Sequence, residues 1–299
     1  MQSFHFVIAN VFAETHFGGN QLAVFTDARG LSDQAMQSIA KQMNLSETTF
    51  VLPARDKRNA ANVRIFTPQA ELPFAGHPTV GTAAVLCQRG LGEGRFVLEE
   101  AIGDVEVDVE LRGDRIAARF RIDRPIESPD TTPANALMAD LLTLDEADID
   151  AAWFASAGVP ICIVQLGGRE AVDRAVLDRN AWNAKRKDLW SPNILLFSGK
   201  PAAERLYARM FAPALGVDED PATGAAAAAL VGSLAKRVAS GHVASGDGKL
   251  AITIDQGVKM GRPSVIEASA EMRAGQPSNM EVGGLTVILG EGSLAVPSD

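Results

Sequence analysis

The chain has 299 residues and a formal net charge of −9, from 28 Lys and Arg against 37 Asp and Glu. That deficit of basic charge excludes a protein built to grip phosphate backbones. Its 46% hydrophobic and 22% charged residues exclude wholesale disorder. At about 150 residues per domain the length predicts two domains, able to bury a core without disulfide or metal staples.

In chain order, Phe4 to Phe12 reads as a strand, Gly18-Gly19-Asn20 as a turn, and Gln21 to Thr26 as a returning strand. Ser32 and Asp33 can cap a helix with Met36, Ile39, Ala40 and Met43 on one face. Thr48 to Leu52 and Asn62 to Phe66 read as strands, and Arg95 to Arg121 as a three-strand meander. The Pro-, Ser-, Thr- and Asp-rich segment Arg124 to Pro133 reads as a domain edge. It divides the chain into 1–124 and 125–299. Beyond it come a helix near Ala134 to Leu142 and strands in GVPICIVQL and NILLFSG. Further strands are expected at Leu206 to Phe211, Lys249 to Asp255, Ser264 to Met272 and Leu285 to Leu289. The last of these can return to the first half.

Two cysteines and four histidines, with no C-x-x-C or H-E-x-x-H, offer no metal-site spacing. So few cysteines suit the cytoplasm. The start MQSFHFVIANVFAE has no basic region of a signal peptide, and no apolar stretch approaches the ~20 residues of a membrane helix. The G-x-S-x-G elbow, the phosphate loop and the dinucleotide fingerprint are missing from the sequence.

An internal echo stands out. His77-Pro78-Thr79-Val80-Gly81-Thr82-Ala83-Ala84 and Asp220-Pro221-Ala222-Thr223-Gly224-Ala225-Ala226-Ala227 share polar, Pro, two residues, Gly, small, Ala-Ala. Pro fits the first helical position, with the polar residue at the N-cap. The helices that follow, near 78–89 and 221–236, have almost no polar face and are expected to be buried. The simplest architecture is α+β, with two halves, each of strands around one buried helix, and a cleft where both helix starts point. Helix starts offer unpaired N–H groups and a positive dipole end, which suit a small organic anion. The same Pro and Gly also serve as ordinary helix punctuation.

Three side chains could do chemistry. Glu47 stands where a helix gives way to an apolar strand; it is either a general acid/base with a raised pKa or a surface carboxylate paired with Lys or Arg. His77 precedes Pro78; it is either a neutral imidazole donating to a substrate oxygen or a histidine satisfied by nearby backbone. Asp220 is either a substrate-positioning group or a plain N-cap.

At these residues the chain resembles the PhzF family of phenazine biosynthesis-like isomerases. The matching segments are VFAETHFGGNQLAVF, MNLSETTFV, RIFTPQAELPFAGHPTVGTAA, GVPICIVQL, DEDPATGAAAAAL and QGVKMGRPS. The resemblance implies a diaminopimelate-epimerase-like fold of two pseudo-symmetric halves, each a curved, mostly antiparallel sheet wrapped on a central helix. It implies a homodimer without a cofactor. It also implies that Glu47 transfers the proton, while His77 and Asp220 bind and orient substrate and can share in proton movement. Relatives with racemase chemistry use two cysteines at the helix starts, where this chain has His77 and Asp220. Phenazine-pathway members have Ser after the second motif's Gly; this chain has Ala225, which removes a hydroxyl worth about 1 kcal/mol or more to a bound substrate.

The expected activity is cofactor-free movement of a proton between carbons of a small carboxylate substrate. Gly76 and Thr79 at the first helix start, and Thr223, Gly224 and Ala225 at the second, would bind its anion. The alternatives are a non-catalytic anion-binding protein on the same fold and a hydro-lyase using the same acid/base residue.

Overall fold

The computed structural model describes residues 1–113, 115–200, 205–239 and 248–297. The chain forms two compact units, Met1–Arg121 with Gly283–Asp299, and Ile122–Val282.

The first unit contains β1 (Gln2–Val11), β2 (Asn20–Phe25), α1 (Asp33–Met43), β3 (Glu47–Leu52), β4 (Ala61–Phe66), β5 (Glu71–Leu72) and α2 (Gly76–Leu86). It continues through β6 (Gly94–Glu100), β7 (Gly103–Arg112) and β8 (Arg115–Ile122). The turn expected between β7 and β8 includes Asp114, which lies outside the described residues. Ser32 caps α1 by accepting from the Ala35 N–H, and Asn44 ends it in the left-handed conformation with φ 52°. Met36, Ile39 and Ala40 of α1 pack with Phe4, Phe25, Phe50 and Phe66 on the outer face of the sheet.

The second unit contains α3 (Asn135–Leu142), β9 (Ile149–Ser156), β10 (Pro160–Leu166), α4 (Arg169–Arg174), α5 (Arg179–Lys185) and β11 (Ile194–Ser198). It continues through β12 (Arg205–Ala212), β13 (Val217–Asp220), α6 (Gly224–Ala239), β14 (Lys249–Gln256), β15 (Ser264–Arg273) and the first part of β16 (Gln276–Val296). The rest of β16 belongs to the first unit, where it pairs antiparallel with β1 from Thr286 to Val296. With β8 also beside β16, the first unit's strands close a ring in the order β1-β2-β3-β4-β6-β7-β8-β16. Closure leaves that ring no open edge.

Both units use the same succession of pairings. In the first, β1–β2 is antiparallel, β2–β3 parallel, β3–β4 antiparallel, β4–β6 parallel and β6–β7 antiparallel. In the second, β9–β10, β10–β11, β11–β12, β12–β14 and β14–β15 repeat that order. Each parallel step needs a crossover, and helices occupy all four. α2 packs on β1, β2, β3 and β7, and α6 on β14, β15, β9 and β10. Every residue of α2 from Gly76 to Val85 is buried, as its lack of a polar face requires.

The sequence expectation needs four corrections. The boundary falls after Arg121 rather than at 124. α2 begins at Gly76, so Pro78 is its third residue and His77 lies inside the helix. Pro tolerates that place because a first-turn N–H has no helical acceptor. α6 begins at Gly224, three residues after Pro221, and the Ala227 N–H donates to the Thr223 carbonyl at 3.0 Å. Thr223, not Asp220, thus stands at the N-cap. Finally β9, α4 and α5 were not anticipated; the Ala-rich strand IDAAWFAS lacks alternation, and both helices are under two turns long.

Candidate active site

Glu47 is placed by the abrupt end of α1. After Asn44 turns left-handed, the chain enters β3 at Glu47, opposite Leu22 of β2. Its side chain is 15% exposed, so it is mostly buried rather than a solvated surface carboxylate.

His77 comes from the second position of α2 and is 5% exposed. Its Nε2 lies 3.4 Å from Glu47 Oε2, a close approach in which neither atom makes a hydrogen bond. On the other side of the ring, Nδ1 lies 3.2 Å from Asn20 Nδ2, and the Gln21 carbonyl also bonds the ring. Burial pushes the imidazole down to about 3, against a smaller opposing effect of that carbonyl. The ring is therefore neutral at pH 7, even with a carboxylate beside it. Its proton has two seats. With the Asn20 amide donating to Nδ1, the proton is on Nε2 and faces Glu47. With Nδ1 donating to Gln21, Nε2 presents a lone pair to Glu47.

Asn20 did not figure among the expected site residues, although Gly18-Gly19-Asn20 marked a turn. Gly19 has φ +71°, and a Cβ there would meet Val11 O at 2.5 Å. Only glycine lets the chain turn that closely and start β2 with the Asn20 side chain on His77.

Gly76 is buried in the same first turn. Thr79 also lies there, but its hydroxyl is engaged inward, 2.8 Å from the Ala75 carbonyl oxygen and 2.7 Å from Glu100 Oε1. The structure places the Thr79 side chain beneath the turn rather than on an open face.

In the second unit, Asp220 ends β13 opposite Met210 of β12. The Thr223 hydroxyl donates to Asp220 Oδ2 at 2.5 Å. Gln256, 1% exposed, donates to the Asp220 carbonyl at 2.8 Å and lies 3.0 Å from Thr223 Oγ1. Gln256 thus clamps the turn from below. The next residue, Gly257, has φ +71°, and a Cβ there would collide with the Pro221 and Arg262 carbonyls. Beside Asp220, Glu219 accepts two bonds from Arg209, which is itself tied to the Val172 and Ala175 carbonyls. Gln256 lies in a quoted segment, but no local pattern marks a strand-end Gln as a clamp. Gly224 is buried and Ala225 half-buried at the start of α6.

Cys87 and Cys162 are free and buried, and burial raises both thiols. Among the described residues no group of three or more His, Cys, Asp or Glu is placed to hold a metal ion. Nor is any described helix long and apolar enough to cross a membrane.

Residues 9–292 match the family model of the phenazine biosynthesis-like proteins, PhzC-PhzF. The chain belongs to the PhzF family. Among PhzF-family relatives, a trans-2,3-dihydro-3-hydroxyanthranilate isomerase of Pseudomonas chlororaphis is 39% identical, over 98% of this chain and 99% of the relative. An uncharacterised isomerase of Mesorhizobium japonicum is 37% identical over 99% of this chain and 100% of its own. With named isomerases this similar along nearly its whole length, this PhzF-family chain is an isomerase-type enzyme. The PhzF-family crystal structure from Bacillus anthracis superposes with a TM-score of 0.84 at 21% identity, covering 99% of this chain and 100% of that one. A hydroxyproline epimerase from Agrobacterium vitis shares the fold more distantly, with a TM-score of 0.64 at 15% identity and coverage of 100% and 92%.

Proposed function

We propose that the protein moves a proton between two carbons of a small carboxylate, with Glu47 as the group that takes and returns it and with no cofactor. The observation that carries this reading is the Glu47–His77 pair, a nearly sealed carboxylate 3.4 Å from a neutral imidazole at the start of a buried helix. A carboxylate in such a place is a competent base towards a carbon acidified by conjugation, and the acid it becomes returns the proton to another carbon. A small shift across the 3.4 Å gap would let the neutral ring accept or donate one hydrogen bond as Glu47 changes state. The backbone around Gly76 at the start of α2 supplies positive potential for developing negative charge.

The same role in holding substrate is proposed for Asp220 and for Thr223, Gly224 and Ala225. Its support is the Asp220–Thr223–Gln256 arrangement, which fixes the carboxylate and leaves a helix start beside it. The two-fold repetition of the pairing order supports a duplicated, epimerase-like architecture. A homodimer in the cytoplasm is the proposed state; light scattering checks the dimer and cell fractionation the compartment. Among substrates, trans-2,3-dihydro-3-hydroxyanthranilate is the first to try because similar isomerases are named for it. Ala225 lacks the hydroxyl expected of a phenazine-pathway member, so the substrate here is proposed to be a related carboxylate rather than that compound itself.

The test is proton exchange in D₂O, followed by NMR with a panel of cyclic and amino-substituted carboxylates. Deuterium entering a carbon position with wild type and not with Glu47→Gln is the expected result. Exchange that survives in Glu47→Gln removes Glu47 from the reaction. Thermal stabilisation by panel members without any exchange would replace the isomerase with an anion-binding protein.

A further inference from the structure

The hydrogen bonds beneath His77 carry information about a proton. Thr79 has one hydroxyl proton and two oxygens within reach, the Ala75 carbonyl at 2.8 Å and Glu100 Oε1 at 2.7 Å. A hydroxyl donates once, and a carbonyl oxygen can only accept. With Thr79 donating to Ala75, the proton between Thr79 and Glu100 has to come from Glu100. The rest of the carboxyl agrees. Glu100 is 4% exposed, and its Oε2 is buried without a hydrogen-bond partner. A carboxylate sealed with so few donors carries a heavy desolvation cost, which a neutral acid avoids.

The adjacent residue provides a control. Glu99 is turned to the other face of β6 and accepts from the Arg55 N–H, the Asp56 N–H and the Asn59 amide. Those bonds, the two from backbone first, hold it below the usual carboxylate range. Burial drives Glu100 the other way, up to about 8, against a smaller effect of Thr79. On α2 the one titratable side chain is the neutral His77; on β3, behind it, stands Glu47. On β7, Asp104 lies beside Asn59. The segment entering α2, Leu72 to Ala75, has no titratable side chain.

We propose that Glu100 is an uncharged carboxylic acid and the positioning residue of the first turn of α2, donating to Thr79, which in turn donates to Ala75 at the helix cap. The inference rests on the reading that this turn serves a substrate anion. Ionised, Glu100 would draw the Thr79 proton away from Ala75. It would also place a negative charge under the helix start, cancelling the positive potential offered to substrate. Protonated, it anchors the turn that carries His77 and leaves that potential intact.

The experiment compares wild type, Glu100→Gln and Glu100→Ala without ligand, by infrared difference spectroscopy and by NMR of the His77 ring. A protonated-carboxyl C=O band in wild type at pH 6.5, fading as the pH rises through about 8 and missing from Glu100→Gln, is expected. Gln keeps a donor for Thr79, so the His77 ring signals stay in place in Glu100→Gln and shift in Glu100→Ala. If Glu100→Ala does not fold, Thr79→Val, which removes the hydroxyl between the two partners, should shift the same signals. No such band at pH 6.5 overturns the proposal, as do His77 signals that stay put when the donor or the hydroxyl is removed. None of these readouts needs turnover, so a failed exchange test for Glu47 would leave them standing.

Discussion

The starts of α2 and α6 carry nearly the same sequence pattern and solve different problems with it. Aligned on the echo, Gly76 matches Glu219, yet α6 begins only at Gly224, five positions later. In α2 the helix runs back through Pro78 and His77 to Gly76, with Ala75 extended at the cap and lacking a side-chain cap bond. The imidazole is thereby carried inside the helix and sealed against Asn20 and Glu47. In α6 the Asp220 carboxylate is tied to the Thr223 hydroxyl, and Gln256 holds both from below. Asp and Thr side chains bonding to nearby groups compete with helix, so the helix waits until Gly224. Pro is compatible with either outcome, and neighbouring strands decide between them. A buried neutral group thus stands at one helix start and a pinned, half-buried carboxylate at the other.

The largest expected effect on this contrast comes from the first start. Glu47→Gln should lower turnover by about 10²–10⁴-fold with the fold intact, read from exchange rates and circular dichroism. The second start should behave differently. Asp220→Ala removes the acceptor of the Thr223 hydroxyl, and about 1 kcal/mol of stability with it, typical of a lost cap-type bond. It should raise KM more than it lowers kcat. An equal collapse of kcat in both variants would show that the two starts share the proton work rather than divide it.

The two buried groups of the first unit give opposite pH responses. His77 sits near 3 when folded against 6.5 unfolded, so below pH 6.5 the unfolded chain binds a proton that the folded one refuses. The His77 contribution should fall as pH drops from 6.5 towards 3, and His77→Asn should flatten the urea-midpoint profile below pH 4.5, where it acts without Glu100. Glu100 sits near 8 when folded against 4.5 unfolded, so its contribution is complete below pH 4.5 and is lost as pH rises towards 8. Glu100→Gln should remove that loss between pH 4.5 and 8; between 4.5 and 6.5, where the two slopes oppose, it should uncover the full His77 slope. The smallest effect is expected from Ala225→Ser at the half-buried second position of α6. A restored hydroxyl worth about 1 kcal/mol would tighten the Kd for trans-2,3-dihydro-3-hydroxyanthranilate about fivefold. No change would mean that the hydroxyl does not reach the substrate.

Much of this was legible in the chain itself. The a-polar helix of the echo, the Ser32 cap, the meander from Arg95 to Arg121 and the chemical candidates Glu47, His77 and Asp220 all follow from local pattern. The partners of those candidates do not. Asn20 is 57 residues from His77 along the chain, and Gln256 is 33 from Thr223. Glu99 and Glu100 are neighbours in sequence, identical in side chain and both buried, and nothing local separates the one with three donors from the one with a single hydroxyl partner. Thr79 is expected at the substrate from its place at the helix start, and only the fold brings its hydroxyl to Ala75 and Glu100.

The sequence by itself determined which segments must be buried, where turns break the strands and which residue types were available for proton chemistry, because periodicity, capping and turn preferences act over a few residues. Only the tertiary structure decided where each helix begins, which carboxylates are sealed and which side chains face one another. Those outcomes depend on burial and on hydrogen-bond partners supplied by strands tens of residues away.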